Sequence, residues 1–316
     1  EFTVRRRYAL TAERWLMLPA LVAMTVEQPC PRIELIVHQV PLVSARRIVA
    51  FYVAGRIVLT SRVPDPVMET IEIGDARLRT ATWGAGPPDI VMLHDGLGSI
   101  TQWRSVPGDV AVRTGLTVMA YERPGHGQSL PTPVGPWPTD WLEQQAALLH
   151  QLLQAVHADA PALVGHSDGG STALIHSVQN PDSQRAVLAL APHSWVEQIC
   201  FDSIVEMRKN REPIVAGLAK HQGHPDELFE AWSGVWVSDD FRWWDIRPVL
   251  SGITVPALIA QGADDPYASD DQAHLTAAAI GANAQSIIVP KVGHIMHHDD
   301  ADRVVAIIAE FVGQHR

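Results

Sequence analysis

A serine flanked by glycines lies near the middle of the chain and could act as a nucleophile. The segment Gly165–Gly170 reads GHSDGG and matches the pattern G-x-S-x-G around Ser167. A short apolar run, Ala162–Val164, precedes it, and a run typical of a helix, Ser171–Val178, follows it. Strand, sharp turn and helix in this order expose a serine hydroxyl at the turn. Small neighbours permit the strained backbone that such a turn requires.

A serine needs a base, because its hydroxyl is a weak nucleophile at neutral pH. The segment Pro290–His294 follows the apolar run Ser286–Val289, which we interpret as the last strand. His294 comes directly after a glycine in this loop, and we assign it as the base. His297 and His298 lie one turn later, and we expect them to lead into the final helix.

The base in turn needs a carboxylate that orients it. Where a G-x-S-x-G serine lies on such a strand–turn–helix turn, that acid follows the serine in the sequence and precedes the histidine. The loop Gln261–Pro266 follows the apolar run Ala257–Ala260 and contains two aspartates. We assign Asp265, the fourth position of a G-x-x-D loop, as the acid, and we interpret Asp264 as an exposed turn residue.

Ester chemistry also needs hydrogen-bond donors for a developing oxyanion. The first donor is the backbone N–H of Asp168, directly after the serine. The glycine-rich loop His94–Ser99 follows the apolar run Asp89–Leu93 and permits a close approach of the backbone to a substrate. We assign the second donor to Gly96, with Leu97 as the alternative. A turn without catalytic duty is the other interpretation of this loop.

Two acidic side chains flank the predicted oxyanion site. Asp95 follows the first histidine of the glycine-rich loop, and Asp168 follows the serine. If both carboxylates face the site, they disfavour anionic substrates and favour neutral or cationic ones. The alternative, which we prefer, is that they bind local backbone N–H groups.

The chain contains 15 histidines, and the tract His294–Asp300 is dense in histidine and aspartate. A zinc protease requires H-E-x-x-H on a helix, which is absent. We therefore expect no metal site and no cofactor, since a short histidine-rich tract is only compositional evidence. We interpret His166, beside the serine, as a packed histidine that points away from the serine.

Alternating strands and helices must position these residues. The predicted strands are apolar runs, and the intervening amphipathic stretches predict helices, the clearest at Trp141–Val156. This pattern predicts an α/β fold with a mostly parallel sheet and helices on both faces. Each candidate residue comes after the carboxyl end of a strand, where ligands bind in such sheets.

A longer segment interrupts the alternation between the strand that ends near His193 and Ile253. Three short helices are predicted there, at Trp195–Arg211, Pro213–Lys220 and Pro225–Val237. We predict that residues 194–250 form a helical cap over the site. The segment contains five of the ten tryptophans. We expect Trp195 and Trp236, together with Asp95 and Leu97, to contact the substrate, and the other tryptophans to form the core of the cap.

The catalytic domain is predicted to begin near Met68, where the alternating pattern starts. Residues 1–67 differ in composition, and we interpret them either as an extension of uncertain order or as an accessory segment. The core then comprises residues 68–193 and 251–316.

The composition of the chain limits which ligands and which cellular location we expect. A net charge of −11 argues against nucleic acid as a ligand. The two cysteines match no disulfide or metal framework, which favours a cytoplasmic protein. The apolar segments are shorter than the ~20 residues of a membrane span. No pattern predicts the oligomeric state.

Five motifs in this order resemble the α/β-hydrolase superfamily, from about residue 70 to the end of the chain. Four are described above, around Gly96, Ser167, Asp265 and His294. The fifth, Glu122–Ser129, is similar to the D-x-R-G-x-G-x-S turn of that superfamily, with Glu122 at the acidic position. Epoxide hydrolases and haloalkane dehalogenases carry an aspartate nucleophile, and hormone-sensitive-type lipases carry an H-G-G-G loop, so the resemblance does not extend to these groups.

The resemblance implies a serine hydrolase that cleaves a small-molecule carboxylic ester through an acyl-enzyme. The same residues could hydrolyse a lactone, a thioester or an activated C–C bond. A catalytically silent binding protein on this fold is an alternative of a different class. The fold hosts many chemistries, so the motifs say little about the substrate.

Overall fold

An eight-stranded sheet forms the centre of the fold. The structure is a computed structural model and describes residues 49–53, 56–60, 63, 65–132 and 134–316. Within these ranges the strands are β1 (Val49–Val53), β2 (Arg56–Thr60), β3 (Val67–Ile73), β4 (Ala76–Trp83), β5 (Ile90–Leu93), β6 (Val118–Tyr121), β7 (Ala162–His166), β8 (Ala186–Leu190), β9 (Ala257–Gly262) and β10 (Ala284–Val289). The sheet has the order β10-β9-β8-β7-β5-β6-β4-β3, and β1 and β2 form a separate antiparallel hairpin.

The sheet is mostly parallel, as the sequence predicts. The pairs β3–β4 and β4–β6 are antiparallel, and the other pairs in the sheet are parallel. The chain leaves β5 toward β6 on one side and returns to β7 on the other. The loops after β5 and β7 therefore meet at the point where the strand order reverses, which is where open α/β sheets bind ligands.

The helices within the described residues connect these strands. They are α1 (Val106–Thr114), α2 (Trp141–Ala155), α3 (Asp168–Gln179), α4 (Gln198–Lys209), α5 (Arg211–Leu218), α6 (Pro225–Trp236), α7 (Asp270–Ile280), α8 (Met296–Asp299) and α9 (Ala301–Gln314). Helix α9 illustrates why they form. The Asp300 side chain caps its first turn by accepting the N–H of Arg303, and its apolar residues recur on one face that packs on the sheet.

Both faces of the sheet are covered. Along β5, Ile90 and Met92 pack on one face, and Val91 and Leu93 pack on the other. Helices α1 and α9 cover the first face, and α2, α3 and α7 cover the second. Because β5 is buried on both sides, it is a continuous apolar run rather than an alternating one.

Helix α3 begins at Asp168, three residues before the predicted start at Ser171. Gly169 and Gly170 disfavour a helix by propensity, which explains why the predicted start of α3 lies too far along the chain. Packing requires a glycine at position 169, because a Cβ there would lie 2.3 Å from Leu93 O. The tertiary contact overrides the local preference.

The segment between β8 and β9 contains α4, α5 and α6, and we call it the inserted segment. Helix α6 contacts the loop before α2, where the Trp137 N–H donates to Ala231 O at 3.3 Å. At the other end of the chain, the hairpin of β1 and β2 falls in the region predicted to be an extension, and residues 1–48 lie outside the described residues. The proposed boundary at Met68 stays a prediction.

Candidate active site

Ser167 lies on a strained turn between β7 and α3. Its backbone has φ 53° and ψ −122°, an uncommon conformation for a residue with a side chain. Its N–H donates to Leu190 O at 2.8 Å and ties the turn to β8. The turn also needs Gly165, where a Cβ would lie 2.2 Å from Gly169 O. These contacts explain the small residues on both sides of the serine.

Three predicted residues form one hydrogen-bonded chain. His294 Nε2 lies 3.0 Å from Ser167 Oγ, and His294 Nδ1 lies 2.7 Å from Asp265 Oδ2. They come from the loops after β7, β9 and β10, all at the carboxyl edge of the sheet. With Nδ1 protonated and bound to the carboxylate, His294 Nε2 is free to accept the serine proton.

Asp265 is held by several donors besides His294. The Tyr267 N–H donates to Asp265 Oδ1 at 2.8 Å, and the Gln261 side chain amide donates to Oδ2. Burial alone would raise the pKa of Asp265, but the hydrogen bond from His294 and the Tyr267 N–H outweigh it and lower that pKa. The carboxylate is therefore ionised at neutral pH. Asp264 is exposed, and its N–H donates to Val292 O.

The other residues of the histidine-rich tract point to separate partners. The rings of His297 and Trp103 are tilted against each other with centroids 4.6 Å apart, and His298 Nε2 lies 2.9 Å from Gln102 O. Asp299 accepts the N–H of Gly293, and Asp300 caps α9. Across the described ranges, no group of three or more His, Cys, Asp or Glu side chains could hold a metal ion.

The predicted oxyanion loop lies against the start of α3. A Cβ at Gly96 would lie 2.3 Å from Asp168 Oδ2, so only glycine permits this approach. In the described part of the chain, the Gly96 N–H has no hydrogen-bond partner. The Leu97 N–H, the alternative donor, instead donates to Asp95 Oδ1 at 3.0 Å. The geometry favours Gly96 over Leu97.

The side chain of Asp95 binds local groups. Besides the Leu97 N–H, it faces His166, with 3.5 Å between Asp95 Oδ2 and His166 Nδ1. Burial alone would raise the pKa of Asp95, but the contact with His166 outweighs it and holds that pKa well below its usual value. His166 is fully buried, and its Nε2 lies 2.8 Å from His294 O. It therefore packs beside the hydrogen-bonded chain.

The side chain of Asp168 faces the inserted segment. Its Oδ2 accepts the indole N–H of Trp232 at 2.8 Å. Burial raises the pKa of Asp168 to about 6, although the charge of Arg123 and the Trp232 N–H act in the opposite direction. Of the three aspartates Asp95, Asp168 and Asp265, Asp168 is the one whose pKa lies above the usual value.

The tryptophans of the inserted segment have different environments. Trp236 is buried, and its ring lies 5.2 Å from that of His193, which lies 5.8 Å from the ring of His294. Burial, together with the nearby His294, lowers the pKa of His193 to about 3. Trp195 instead stacks under the guanidinium of Arg247, 4.1 Å from its centre. The structure brings Trp236, but not Trp195, close to the hydrogen-bonded chain.

Three further side chains hold the glycine-rich loop, and no role was predicted for any of them from the sequence. Arg123 donates to His94 O and Asp95 O, His126 Nε2 lies 3.0 Å from Gly96 O, and the Gln222 amide donates to Leu97 O and Gly98 O. Arg123 and His126 were visible as polar residues directly after a buried strand. Gln222, in the inserted segment, carries no sequence signal.

No helix within the described residues has the length and apolar character that crossing a membrane requires. A family model described as alpha/beta hydrolase family matches residues 90–307. The serine hydrolase BPHL of Homo sapiens is 28% identical over 161 residues, which cover 48% of this chain and 54% of that protein. The chain spans about half or less of the length of the first curated relatives that it matches.

Two further proteins are similar over more of their length. A 2-hydroxy-6-oxononadienedioate/2-hydroxy-6-oxononatrienedioate hydrolase of Dechloromonas aromatica is 24% identical over 267 residues, covering 75% of this chain and 91% of that protein. The crystal structure of an enol-lactonase from Burkholderia xenovorans superposes with a TM-score of 0.63 at 21% identity, covering 78% of this chain and all of that one. This last likeness shows the fold alone.

Proposed function

The chain belongs to the alpha/beta hydrolase family, and from that premise we propose that it is a serine hydrolase that cleaves carboxylic esters through an acyl-enzyme. The observation that carries the proposal is the chain of hydrogen bonds from Ser167 through His294 to Asp265. Its members lie on three loops at one edge of the sheet, and the serine is presented on a strained turn.

Acylation begins when Ser167 Oγ attacks the ester carbonyl carbon. His294 Nε2 takes the serine proton as the C–O bond forms, and the carbonyl oxygen becomes an oxyanion. The N–H groups of Gly96 and Asp168 are the proposed donors to that oxygen. When the tetrahedral intermediate collapses, the ester C–O bond breaks, and His294 returns the proton to the departing alkoxide, which leaves as the alcohol.

Deacylation repeats the sequence with water. His294 Nε2 takes a proton from a water molecule, whose oxygen attacks the acyl carbon. Collapse of the second tetrahedral intermediate breaks the bond to Ser167 Oγ, which recovers its proton from His294. The products are one carboxylic acid and one alcohol. Asp265 stays ionised throughout and stabilises the imidazolium in both halves, consistent with its lowered pKa.

A direct test uses Ser167→Ala and p-nitrophenyl acetate. We expect nearly all turnover to be lost with the fold intact, and a fluorophosphonate probe to label the wild type but not the variant. Ser183→Ala is the matched control, because that serine lies beyond the far end of α3, 3.4 Å from His150 Nδ1. If Ser167→Ala keeps most of its activity, the proposal is wrong. An unlabelled and inactive wild type would instead favour a silent binding protein.

A second candidate is the hydrolysis of a lactone or an activated C–C bond by the same residues. The hydrolase of Dechloromonas aromatica, which aligns over most of its length, favours this alternative. All these reactions begin at a carbonyl carbon and need the same oxyanion donors, so the site geometry does not separate them. Comparing kcat/KM for an open-chain ester, its lactone and a vinylogous 1,5-diketone would identify the preferred bond.

A further inference from the structure

The glycine-rich loop is held at five successive carbonyl groups. The oxygens of His94, Asp95, Gly96, Leu97 and Gly98 each lie within hydrogen-bond distance of a buried side chain. Those side chains are Arg123, His126 and Gln222, all less than a tenth exposed. Loop carbonyls ordinarily face water or other backbone groups. Because the C=O and N–H of a peptide group share one plane, fixing these carbonyl groups also fixes the directions of the N–H groups in the loop.

Arg123 makes the most unusual of these contacts. Its Nη2 donates to His94 O at 3.1 Å and to Asp95 O at 2.5 Å. The residue is fully buried and forms no ion pair within 4.0 Å in the described part of the chain, while its Nε and Nη1 have no hydrogen-bond partner there. An arginine stays protonated in proteins. A full positive charge is therefore buried directly behind the loop.

The carbonyl of Asp95 accepts a second hydrogen bond. The backbone N–H of Arg123 donates to His94 Nε2 at 3.1 Å, so Nε2 carries no proton. The ring proton of neutral His94 is therefore on Nδ1. His94 Nδ1 then donates to Asp95 O at 2.7 Å. Burial and the charge of Arg123 hold the pKa of His94 well below its usual value and keep the ring neutral. One carbonyl oxygen is thus bound by a cation and by an imidazole N–H.

That carbonyl belongs to the same peptide group as the Gly96 N–H. Hydrogen bonding at a peptide oxygen draws electron density from the nitrogen and strengthens the N–H as a donor. We propose that Arg123 is a positioning residue of the oxyanion hole, which polarises the Asp95–Gly96 peptide and strengthens the donor at Gly96. This rests on the proposed function, since it assumes that the Gly96 N–H binds the oxyanion.

The charges around the loop explain why a positive charge is needed behind the proposed donor. The Asp168 carboxylate lies against Gly96 and the Asp95 carboxylate binds the N–H of Leu97 in the same loop, and negative charge near a developing oxyanion opposes it. The guanidinium of Arg123 is close enough to both to interact with them electrostatically. Arg123 therefore offsets the negative potential of two carboxylates that the site carries for other reasons.

Gln222 binds the same loop without a charge. Its amide donates to Leu97 O and Gly98 O, both at 2.8 Å, and accepts the N–H of Gly127. These carbonyls belong to peptide groups beyond Gly96. Gln222 can therefore orient the loop but cannot polarise the Gly96 N–H. Arg123 can do both, because it binds the carbonyl of the same peptide group.

The test compares an ester with its thionoester, in which sulfur replaces the carbonyl oxygen. Sulfur is a weak hydrogen-bond acceptor, so the rate ratio of ester to thionoester reports how strongly the oxyanion site donates. Removing a whole oxyanion donor costs about 10²–10³ in kcat. For Arg123→Gln, which only weakens one donor, we expect kcat for the ester to fall about tenfold, with little change in KM and a fall in the ratio.

Arg185→Gln is the matched control. The Arg185 guanidinium also donates to two backbone carbonyls, Ala160 O at 3.1 Å and Asp89 O at 2.8 Å, but at the amino end of β5. We expect this variant to lose stability and to keep the wild-type ratio. If Arg123→Gln does not fold, Arg123→Met provides the same test, because it removes the charge and the hydrogen bonds to the loop while a long apolar side chain fills the buried space.

An unchanged ratio in the folded Arg123 variant, with or without lower stability, overturns the inference. A ratio that falls equally in Arg185→Gln also overturns it, since any loss of stability would then suffice. Failure of this inference is distinct from failure of the proposed function. If Ser167→Ala is inactive and the Arg123 ratio is unchanged, the serine mechanism stands and only the role of Arg123 is wrong.

Discussion

Trp232 donates its indole N–H to the carboxylate of Asp168 at 2.8 Å, and this contact joins the inserted segment to the residue after the candidate nucleophile. The Trp232 nitrogen also lies where a Cβ of Gly96 would be, 2.0 Å from that position. One indole therefore contacts both halves of the proposed oxyanion site. This hydrogen bond ties the inserted segment to the turn that carries Ser167, and the protonation state of the Asp168 carboxylate can be measured through its effect on stability.

We predict that Asp168→Asn increases the free energy of unfolding at neutral pH. Burial raises the pKa of Asp168 from 3.8 to about 6. A raised pKa contributes stability below the unfolded value, and this contribution is lost as the pH rises through the folded value. The stability gained by the variant is thus expected to grow from pH 4 to pH 7 and to reach ~1–3 kcal/mol.

Urea denaturation of both proteins at several pH values measures this difference. The asparagine keeps an oxygen that can accept the Trp232 N–H, and the Asp168 backbone N–H is unaltered. A stability difference that does not change between pH 4 and pH 7 would mean that the carboxylate is not penalised by burial.

Asp95→Asn is expected to have the opposite effect. The contact with His166 holds the pKa of Asp95 below its usual value of 3.8, although burial acts against it. A lowered pKa contributes stability above the unfolded value, and that stability is lost only as the pH falls through the folded value. The variant is therefore expected to be less stable than wild type from pH 7 down to about pH 4, measured in the same urea experiment.

Asp95→Asn also tests selectivity. Because the Asp95 carboxylate binds the Leu97 N–H and faces His166, we expect the ratio of kcat/KM for a neutral ester to that for a carboxylate-bearing ester to be unchanged. A clear shift of this ratio toward the carboxylate-bearing ester would show that the Asp95 charge acts on the substrate.

The two neighbouring aspartates after β9 give a sharp comparison. We predict that Asp265→Asn lowers kcat about 10⁴-fold, since an amide in that position favours the wrong histidine tautomer. Asp264→Asn is the control, because Asp264 is exposed and makes no side-chain hydrogen bond within the described ranges. Steady-state kinetics on one ester suffices, and a comparable loss in both variants would contradict the assignment of Asp265.

Local patterns predicted the fold and the order of the candidate residues. The turn at Ser167 is encoded by its own neighbours, and the loops of Asp265 and His294 follow strands whose carboxyl ends must share one edge of the sheet. The prediction of a mostly parallel sheet with helices on both faces was confirmed. Sequence order alone therefore places these loops near one another.

The supports of the oxyanion loop were beyond the reach of such patterns. Gln222 binds carbonyl groups more than 120 residues earlier in the chain, and a backbone oxygen leaves no mark in a sequence. The start of α3 was missed because Gly169 is selected by a contact with β5 rather than by helix propensity. Long-range contacts with the backbone account for both gaps.

The tryptophans of the inserted segment show the same limit and give the last prediction. Composition could not separate Trp195 from Trp236, but the structure does. Trp236 is buried against His193, whose ring faces His294, whereas Trp195 stacks on Arg247.

We predict that Trp236→Leu shifts the preferred acyl chain to greater length, because the smaller side chain enlarges the space beside the serine. Trp195→Leu is expected to keep the wild-type preference. Leucine is used because truncation of a buried tryptophan to alanine costs about 3–5 kcal/mol and could unfold the protein. The measurement is kcat/KM across p-nitrophenyl esters from acetate to octanoate. A shift in Trp195→Leu with none in Trp236→Leu would place the acyl pocket on the other side of the inserted segment.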